Sequence, residues 1–391
     1  MSGPAVLHVA RGYGRVVRRY GSRCAGPVVL AGLGALAAYT AGMRRADRAL
    51  ARQLADEVDG EPRLSQTPRV SVLVAAWEER ELLDRHVRSV LGLGYPDLEY
   101  VLCAGGADGT YELARRYARP GVTVLEQRPG EGKQVALRRC LEYATGEIVF
   151  FTDADCILGA ATFARTIRPL VNGGEVAATG PSTPLTEQRA SNFVLHQWAV
   201  DLYARAGHGD YVDGLIGRNA AVRADVLRAC GELDHPVATG TDYYLARHLL
   251  AAGHRIRFVR RSEVQSRFET DPRRYLRQQS RWLKNMVIHG RREGARAQVA
   301  AVARAYEIGV AAVTLPLLAP LIGWLAPAVW GLGLAYTVLN RVRYLRFAAE
   351  ARQLDLPPSA YLTLVIYAPL DLAALAYGLG DLLSSERRRR W

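Results

Sequence analysis

The chain has 391 residues, enough for one sizeable catalytic core plus further elements. Hydrophobic residues make up 49%, an ordinary overall figure, but they gather in long uncharged runs near both ends. The net charge is +13, and the basic residues flank those runs instead of an aromatic-studded face, which argues against nucleic acid and for anionic lipid head groups.

Almost every basic residue is Arg, a bias expected of a GC-rich bacterial genome, and Lys133 and Lys284 are the two lysines. The five cysteines (Cys24, Cys103, Cys140, Cys156, Cys230) form no C-x-x-C pair and no metal spacing, as in a reduced, cytoplasm-facing domain.

A basic segment, residues 1–23, carries Arg11, Arg15, Arg18, Arg19 and Arg23. Residues 24–43 are twenty without a charge, the length that crosses ~30 Å of hydrocarbon, and predict a transmembrane helix. A cleaved signal peptide is the competing reading, since basic residues precede the run.

From Arg69 to about Phe268 strand and helix patterns alternate. Val70–Ala76 reads as a short apolar strand, and Glu81–Leu93 follows with apolar residues at helical spacing. Strands at Tyr100–Cys103, Val122–Leu125 and Ile148–Phe151 continue the pattern, separated by helices at Thr110–Tyr117 and Lys133–Tyr143. Such alternation implies a mostly parallel sheet covered by helices, over a domain of residues 66–270. Residues 271–304 are amphipathic, with nine basic residues and one acid between Arg273 and Arg304, and predict interfacial helices. An uncharged run of 33 residues, Ile308–Asn340, would be about 50 Å long as one helix. Pro316, Pro320, Pro327 and Gly323 instead predict a transmembrane hairpin over residues 305–340. A last run, residues 356–383, contains Asp371 and Asp381, so it is transmembrane, partly interfacial, or turned toward a helix bundle. Residues 384–391 form a basic tail with Arg387–Arg390.

Three constellations carry chemistry. Asp153-Ala154-Asp155 ends a buried strand, where open α/β sheets bind ligands. Two acids one residue apart can put one carboxylate on a metal and the other on a ribose, and Mg²⁺ or Mn²⁺ suits oxygen ligands and a diphosphate. Gln278, Arg281 and Trp282 share one side of a helix, so the Arg can hold a diphosphate and the indole can stack on a sugar. Asp242, in Gly240-Thr241-Asp242 before a helix, is either a plain cap or a general base.

In order along the chain, Val70–Glu79, Asp108-Gly109-Thr110, Gly132-Lys133, Asp153-Ala154-Asp155, Gly240-Thr241-Asp242 and Gln278-x-x-Arg281-Trp282 resemble the inverting family-2 glycosyltransferases. The likeness is greatest to the membrane branch containing hyaluronan, chitin and cellulose synthases, and covers roughly Arg69–Asn285. It implies a GT-A (Rossmann-like) nucleotide-sugar domain with interfacial amphipathic helices and transmembrane helices. By the same resemblance Glu79, Lys133, Asp153, Asp155, Gln278 and Arg281 bind the donor, with Asp155 on the metal. Asp242 becomes the base that deprotonates the acceptor, while Trp282 and the Gly217-Arg218-Asn219 loop contact the acceptor. The sequence departs from the family at Cys103-Ala104-Gly105-Gly106, where Asp-Asp-Gly-Ser is usual, and at Thr241, where Glu is usual.

The resemblance implies a UDP-sugar as the first expectation for the donor and a glycan or lipid-linked acceptor, with polymer synthesis and single addition both open. It also implies a retained amino-terminal anchor, a multi-pass protein of the inner (plasma) membrane with a cytoplasmic catalytic domain, and room for a homo-oligomer. A catalytically degenerate membrane scaffold or transporter is the rival outside enzymology; the acids at 153, 155 and 242 count against it.

Overall fold

The computed structural model describes residues 3–56, 62–231, 233, 240–292 and 294–384. The expected basic tail from residue 385 onward and the side chain of Arg11 lie outside the described residues.

The chain opens on one long helix, α1 (Gly3–Asp56). Strands and helices then alternate as β1 (Val70–Trp77), α2 (Arg80–Leu91), β2 (Leu98–Gly105), α3 (Thr110–Arg115), β3 (Val122–Glu126), α4 (Gly132–Tyr143) and β4 (Ile148–Phe151). Next come β5 (Cys156–Ile157), α5 (Ala160–Asn172), β6 (Ala177–Thr179), β7 (Ser182–Pro184), α6 (Asn192–Ala206) and β8 (Tyr211–Val212). The domain closes with β9 (Ala220–Arg223), α7 (Ala224–Ala229), α8 (Thr241–Ala251), β10 (Ile256–Phe258) and β11 (Val264–Ser266).

Eight strands form one sheet in the order β3-β2-β1-β4-β9-β6-β10-β8, and β5-β11-β7 form a small second sheet. The β3-β2-β1-β4 half is wholly parallel, as the strand–helix alternation predicts, whereas β9 runs antiparallel to both β4 and β6. Period-two alternation sends Val70, Val72, Val74 and Ala76 of β1 into the core shared with Leu83 and Val87 of α2. Leu73 faces the opposite core, with Leu137 and Cys140 of α4. Each fully buried aliphatic side chain contributes about 1.5–3 kcal/mol, so a one-residue register slip would be costly. The connections leave β1 and β4 in opposite directions, and the crevice at their carboxyl ends is the ligand position of such sheets.

The helices after the domain are α9 (Pro272–Arg292), α10 (Arg296–Thr314), α11 (Ala319–Ile322), α12 (Leu325–Arg352), α13 (Pro358–Leu362) and α14 (Leu364–Leu383). Among the described residues, three stretches are long and apolar enough to cross a membrane: Gly14–Ala55, Arg296–Ile322 and Leu364–Leu383. The uncharged run 24–43 is only the middle of α1, whose 54 residues extend about 80 Å. Its carboxyl end continues onto the α/β domain, where Ala51 and Leu54 pack with Trp198 and Leu202 of α6 and Phe347 of α12.

The run 308–340 is interrupted between Leu315 and Ile322, and of its two arms only the first, in Arg296–Ile322, is among the stretches long and apolar enough to cross a membrane. A 3₁₀ turn (Leu315–Leu318) and α11 reverse the chain, and Trp330 Nε1 donates back to Ala312 O at 2.9 Å. Gly323 sits at the reversal with φ +63 and no room for a Cβ, because Ser22 Oγ and Arg18 O of α1 close on it. The amphipathic unit expected over 271–304 divides differently. Gly294, at φ +70, ends it after α9, and Arg296–Arg304 belong to α10. The acids of the last run turn toward the bundle: Tyr275 donates to Asp371 at 2.5 Å and Ser280 to Asp381 at 2.8 Å, which lays α14 along α9. Val365, Ile366 and Leu383 of α14 are exposed.

Candidate active site

A cavity of about 1000 Å³ occupies the crevice beyond β1 and β4 and extends toward the helices. Ten of the eleven expected site residues line it: Glu79, Lys133, Asp153, Asp155, Gly217, Arg218, Asp242, Gln278, Arg281 and Trp282. Asn219 does not. It is fully buried, takes a hydrogen bond from Thr166 Oγ1 at 3.0 Å, and donates to Ser262 O and to Pro181 O. Its carboxamide is spent inside the domain and has no face for an acceptor.

Glu79 follows the end of β1, after Glu78 turns the chain at φ 56. Its backbone N–H donates to Thr110 Oγ1 at 2.9 Å, and Asp108 accepts from Thr110 N and Arg80 N at 3.0 and 3.1 Å. The Asp108-Gly109-Thr110 motif therefore fixes the turn that carries Glu79. Arg267 Nη2 donates to the Glu79 carboxylate at 2.7 Å. Burial nonetheless raises Glu79 to about 7; Arg267 opposes the shift, and the charges of Asp155 and Asp153 add to it.

Beyond β4, Lys133 Nζ lies 2.5 Å from Asp153 Oδ1. Burial opposes ionisation of Asp153, but Lys133 and then Arg218 outweigh it and hold the carboxyl below its usual value. Asp155 moves the other way. Burial and the neighbouring Asp153 raise it, with Arg218 and Arg267 as partial counterweights. Arg218 donates to Ser266 Oγ at 2.7 Å, and its strongest favourable charge contact is with Asp155. It therefore stands beside the two strand-end acids.

Asp242 occupies the first turn of α8, after Gly240 at φ +73. One carboxylate oxygen accepts from Tyr243 N at 2.9 Å, and the other from Gly217 N at 3.4 Å. The capping position of α8 is Gly240, so Asp242 is not the helix's N-cap; it lies within the first turn and shares the cavity with Lys133, whose charge it supports. Gly240 also abuts α9: a Cβ there would lie 2.9 Å from Asn285 Cγ, so α8 and the Gln278–Trp282 face sit close together.

Asp155 and Glu79 are mutually repelling oxygen donors that a hard cation would relieve. Among the described residues no three His, Cys, Asp or Glu side chains form a ready-made cage.

Sequence reasoning missed several lining residues. Trp77, Arg267, Arg205 and Arg341 carry no local signal, because the fold alone brings them to the cavity. Asp371 had one, a charge inside an apolar run. At the departure from the family pattern, Ala104 is fully buried and Gly105 is packed between Trp77 and Gln127 with no space for a Cβ. The segment itself carries no acid, but Glu78 and Asp108 close on Gly106, and the Trp77 indole is exposed beside it.

Residues 68–285 match the family model described as glycosyltransferase like family 2. Glycosyltransferase AglE of Haloferax volcanii is 27% identical over 207 residues, covering 50% of this chain and 66% of its own length. The beta-monoglucosyldiacylglycerol synthase of Trichormus variabilis is 27% identical over 180 residues, 42% of this chain and 37% of its own. The chain thus spans less than two thirds of the length of each of these relatives. Among solved structures, the mannosyltransferase PcManGT from Pyrobaculum calidifontis, in complex with GDP-Man and Mn²⁺, superposes with a TM-score of 0.53 at 22% identity. The superposition covers 91% of this chain and 99% of that one, a likeness of fold. With its matched segment spanning more than half of the chain, this protein belongs to glycosyltransferase family 2 and has the GT-A fold.

Proposed function

We propose that this protein is a membrane-attached glycosyltransferase that moves a sugar from a nucleotide-sugar donor to an acceptor reaching the cavity from the membrane side. The observation that carries the reading is the convergence, in one cavity, of the strand-end pair Asp153 and Asp155, the cation Arg281 and the carboxylate of Asp242. The GDP-Man and Mn²⁺ held by the mannosyltransferase of similar fold support a nucleotide-sugar donor and a divalent metal here. The three apolar helical stretches support membrane attachment, and cytoplasmic nucleotide sugars put the catalytic domain on that side of a plasma membrane.

The mechanism is a single displacement with inversion. Asp242 accepts the proton of the acceptor hydroxyl as that oxygen bonds to the anomeric carbon. The bond from that carbon to the diphosphate oxygen breaks, and the electron pair leaves with the nucleoside diphosphate. Arg281, which lines the cavity, donates to the departing phosphates. Lys133 holds Asp153 toward the nucleoside, and Gly217 N–H keeps Asp242 turned into the cavity. A Mg²⁺ or Mn²⁺ ion on Asp155, when bound, neutralises charge developing on the leaving group. Incubating purified protein with single nucleotide sugars tests the proposal. One donor yielding free nucleoside diphosphate in a metal-dependent way supports it, and none doing so under membrane-mimetic conditions contradicts it.

A further inference from the structure

One cation of the cavity plays no part in the single displacement. Arg218, in the loop between β8 and β9, is half-buried and lines the cavity with Lys133, Arg281 and the strand-end acids. The family resemblance places it at the acceptor, but the fold turns it elsewhere. Gly217, before it, donates its N–H to Asp242 Oδ2 at 3.4 Å, and Asn219, after it, is fully buried. Between these two anchors the Arg218 side chain reaches Ser266, whose hydroxyl accepts from Nη1 at 2.7 Å. Ser266 is itself fully buried and stands opposite Cys156 in the antiparallel β5–β11 pair. The next residue, Arg267, donates its N–H to Asp155 O at 3.2 Å. Both contacts belong to the turn that carries Asp155, so the serine sets the guanidinium beside that acid.

The neighbouring acids have closer partners. Lys133 Nζ lies 2.5 Å from Asp153, and Arg267 Nη2 donates to Glu79 at 2.7 Å. Arg218 instead gives a hydrogen bond from one of its five N–H groups to a neutral hydroxyl, and its charge is balanced chiefly by Asp155. With Asp155 given to a divalent metal that balance is gone, and two cations stand side by side. An anion carrying more than one charge restores it. A diphosphate has that charge, and its oxygens suit the planar fork of a guanidinium. The position also says which phosphate. Arg218 directly follows the glycine that holds Asp242, and in an inverting displacement the base and the sugar-bearing phosphate flank the same anomeric carbon.

We infer that Arg218, oriented by Ser266, is a second arginine for the donor and binds the sugar-bearing phosphate of the nucleoside diphosphate alongside Arg281. The inference rests on the glycosyltransferase reading of the same cavity and deepens it by moving this residue from the acceptor to the leaving group. In the empty site Arg218 serves as the counter-charge of Asp155. In the loaded site it donates to the phosphate oxygens, and as the bond to the anomeric carbon breaks it stabilises the charge left on that phosphate.

The probes are UDP and GDP with the matching monophosphates, UMP and GMP, each titrated into the full-length protein in detergent with Mn²⁺ and again in excess chelator. For the base that the wild type binds, Arg218→Gln weakens the diphosphate about tenfold or more, both with Mn²⁺ and in chelator. It leaves the monophosphate within about twofold, which shows that the variant is folded. Arg218→Lys, which keeps the charge but not the fork, loses less. Undiminished diphosphate affinity in Arg218→Gln overturns the inference and returns the residue to the acceptor. An equal loss for mono- and diphosphate overturns it too, as the mark of a structural role. So does a loss seen only with Mn²⁺, since Arg218 would then act through Asp155 alone. Failure of the wild-type protein to bind any nucleoside diphosphate would instead count against the glycosyltransferase reading beneath it.

Discussion

Gly217 donates its backbone N–H to Asp242 Oδ2 at 3.4 Å, and a Cβ built on Gly217 would lie 2.9 Å from the Cβ of Asp242. The residue that orients the carboxylate therefore has to be a glycine, not for its own φ but because the acid's side chain fills the space. Gly217→Ala pushes Asp242 out of line while leaving its chemistry intact. We expect kcat to fall by roughly tenfold or more, with donor affinity nearly unchanged, since misplacing a reacting group by a fraction of an ångström is costly. Steady-state kinetics with a separate nucleotide-binding measurement check this.

Asp155→Ala should abolish transfer without preventing membrane insertion, because it removes the carboxylate assigned to the metal while the membrane helices are untouched. Fractionation followed by transfer assays, with and without excess chelator, tests the assignment. Full activity in chelator contradicts it.

Glu79 gives a stability signature. Its folded value of about 7 lies above the ordinary carboxyl value near 4.3, so the folded protein holds a proton that the unfolded chain has lost. The stability linked to that proton is fully present below the unfolded pKa and is lost as pH rises through about 7. Without added metal, the melting temperature of Glu79→Gln relative to wild type should therefore rise between roughly pH 5 and pH 8. A difference that is flat or falls with pH contradicts the burial argument.

Arg343 of α12 donates to Asp47 of α1 at 2.8 and 3.0 Å, and this contact predicts a stability effect with no catalytic signature of its own. Asp47→Ala leaves a nearly buried guanidinium without its carboxylate, at a cost on the order of 3 kcal/mol. Thermal unfolding in detergent should show a clear loss, while nucleoside diphosphate affinity of the folded variant stays within about twofold.

The catalytic half of this architecture was legible because its signals are local. Apolar runs ending in Asp153-Ala154-Asp155, and three residues at helical spacing on α9, announce themselves before any folding is known. Arg267, Arg341 and Trp77 were not legible, because each reaches the cavity only when elements far apart in sequence pack together. Arg218 and Asn219 illustrate the same limit within one tripeptide. Position in the chain put both on an acceptor loop, but alternation along the strand entry sends Asn219 inward to Thr166 and Ser262 and leaves Arg218 beside Asp155. The membrane helices were legible in composition and less so in length: α1 continues well past its apolar run because Ala51 and Leu54 find partners on α6 and α12.

Whether Asp242 removes the acceptor's proton is tested most directly by turnover of Asp242→Asn beside its donor binding. Asn supports the first turn of α8 about as well as Asp, so a merely structural role predicts near-normal turnover and a stability change of about 1 kcal/mol or less. The base role predicts a fall of about a hundredfold or more in transfer while nucleoside diphosphate and metal bind as in wild type. Near-normal transfer by the Asn variant would contradict the account and leave Asp242 a structural residue.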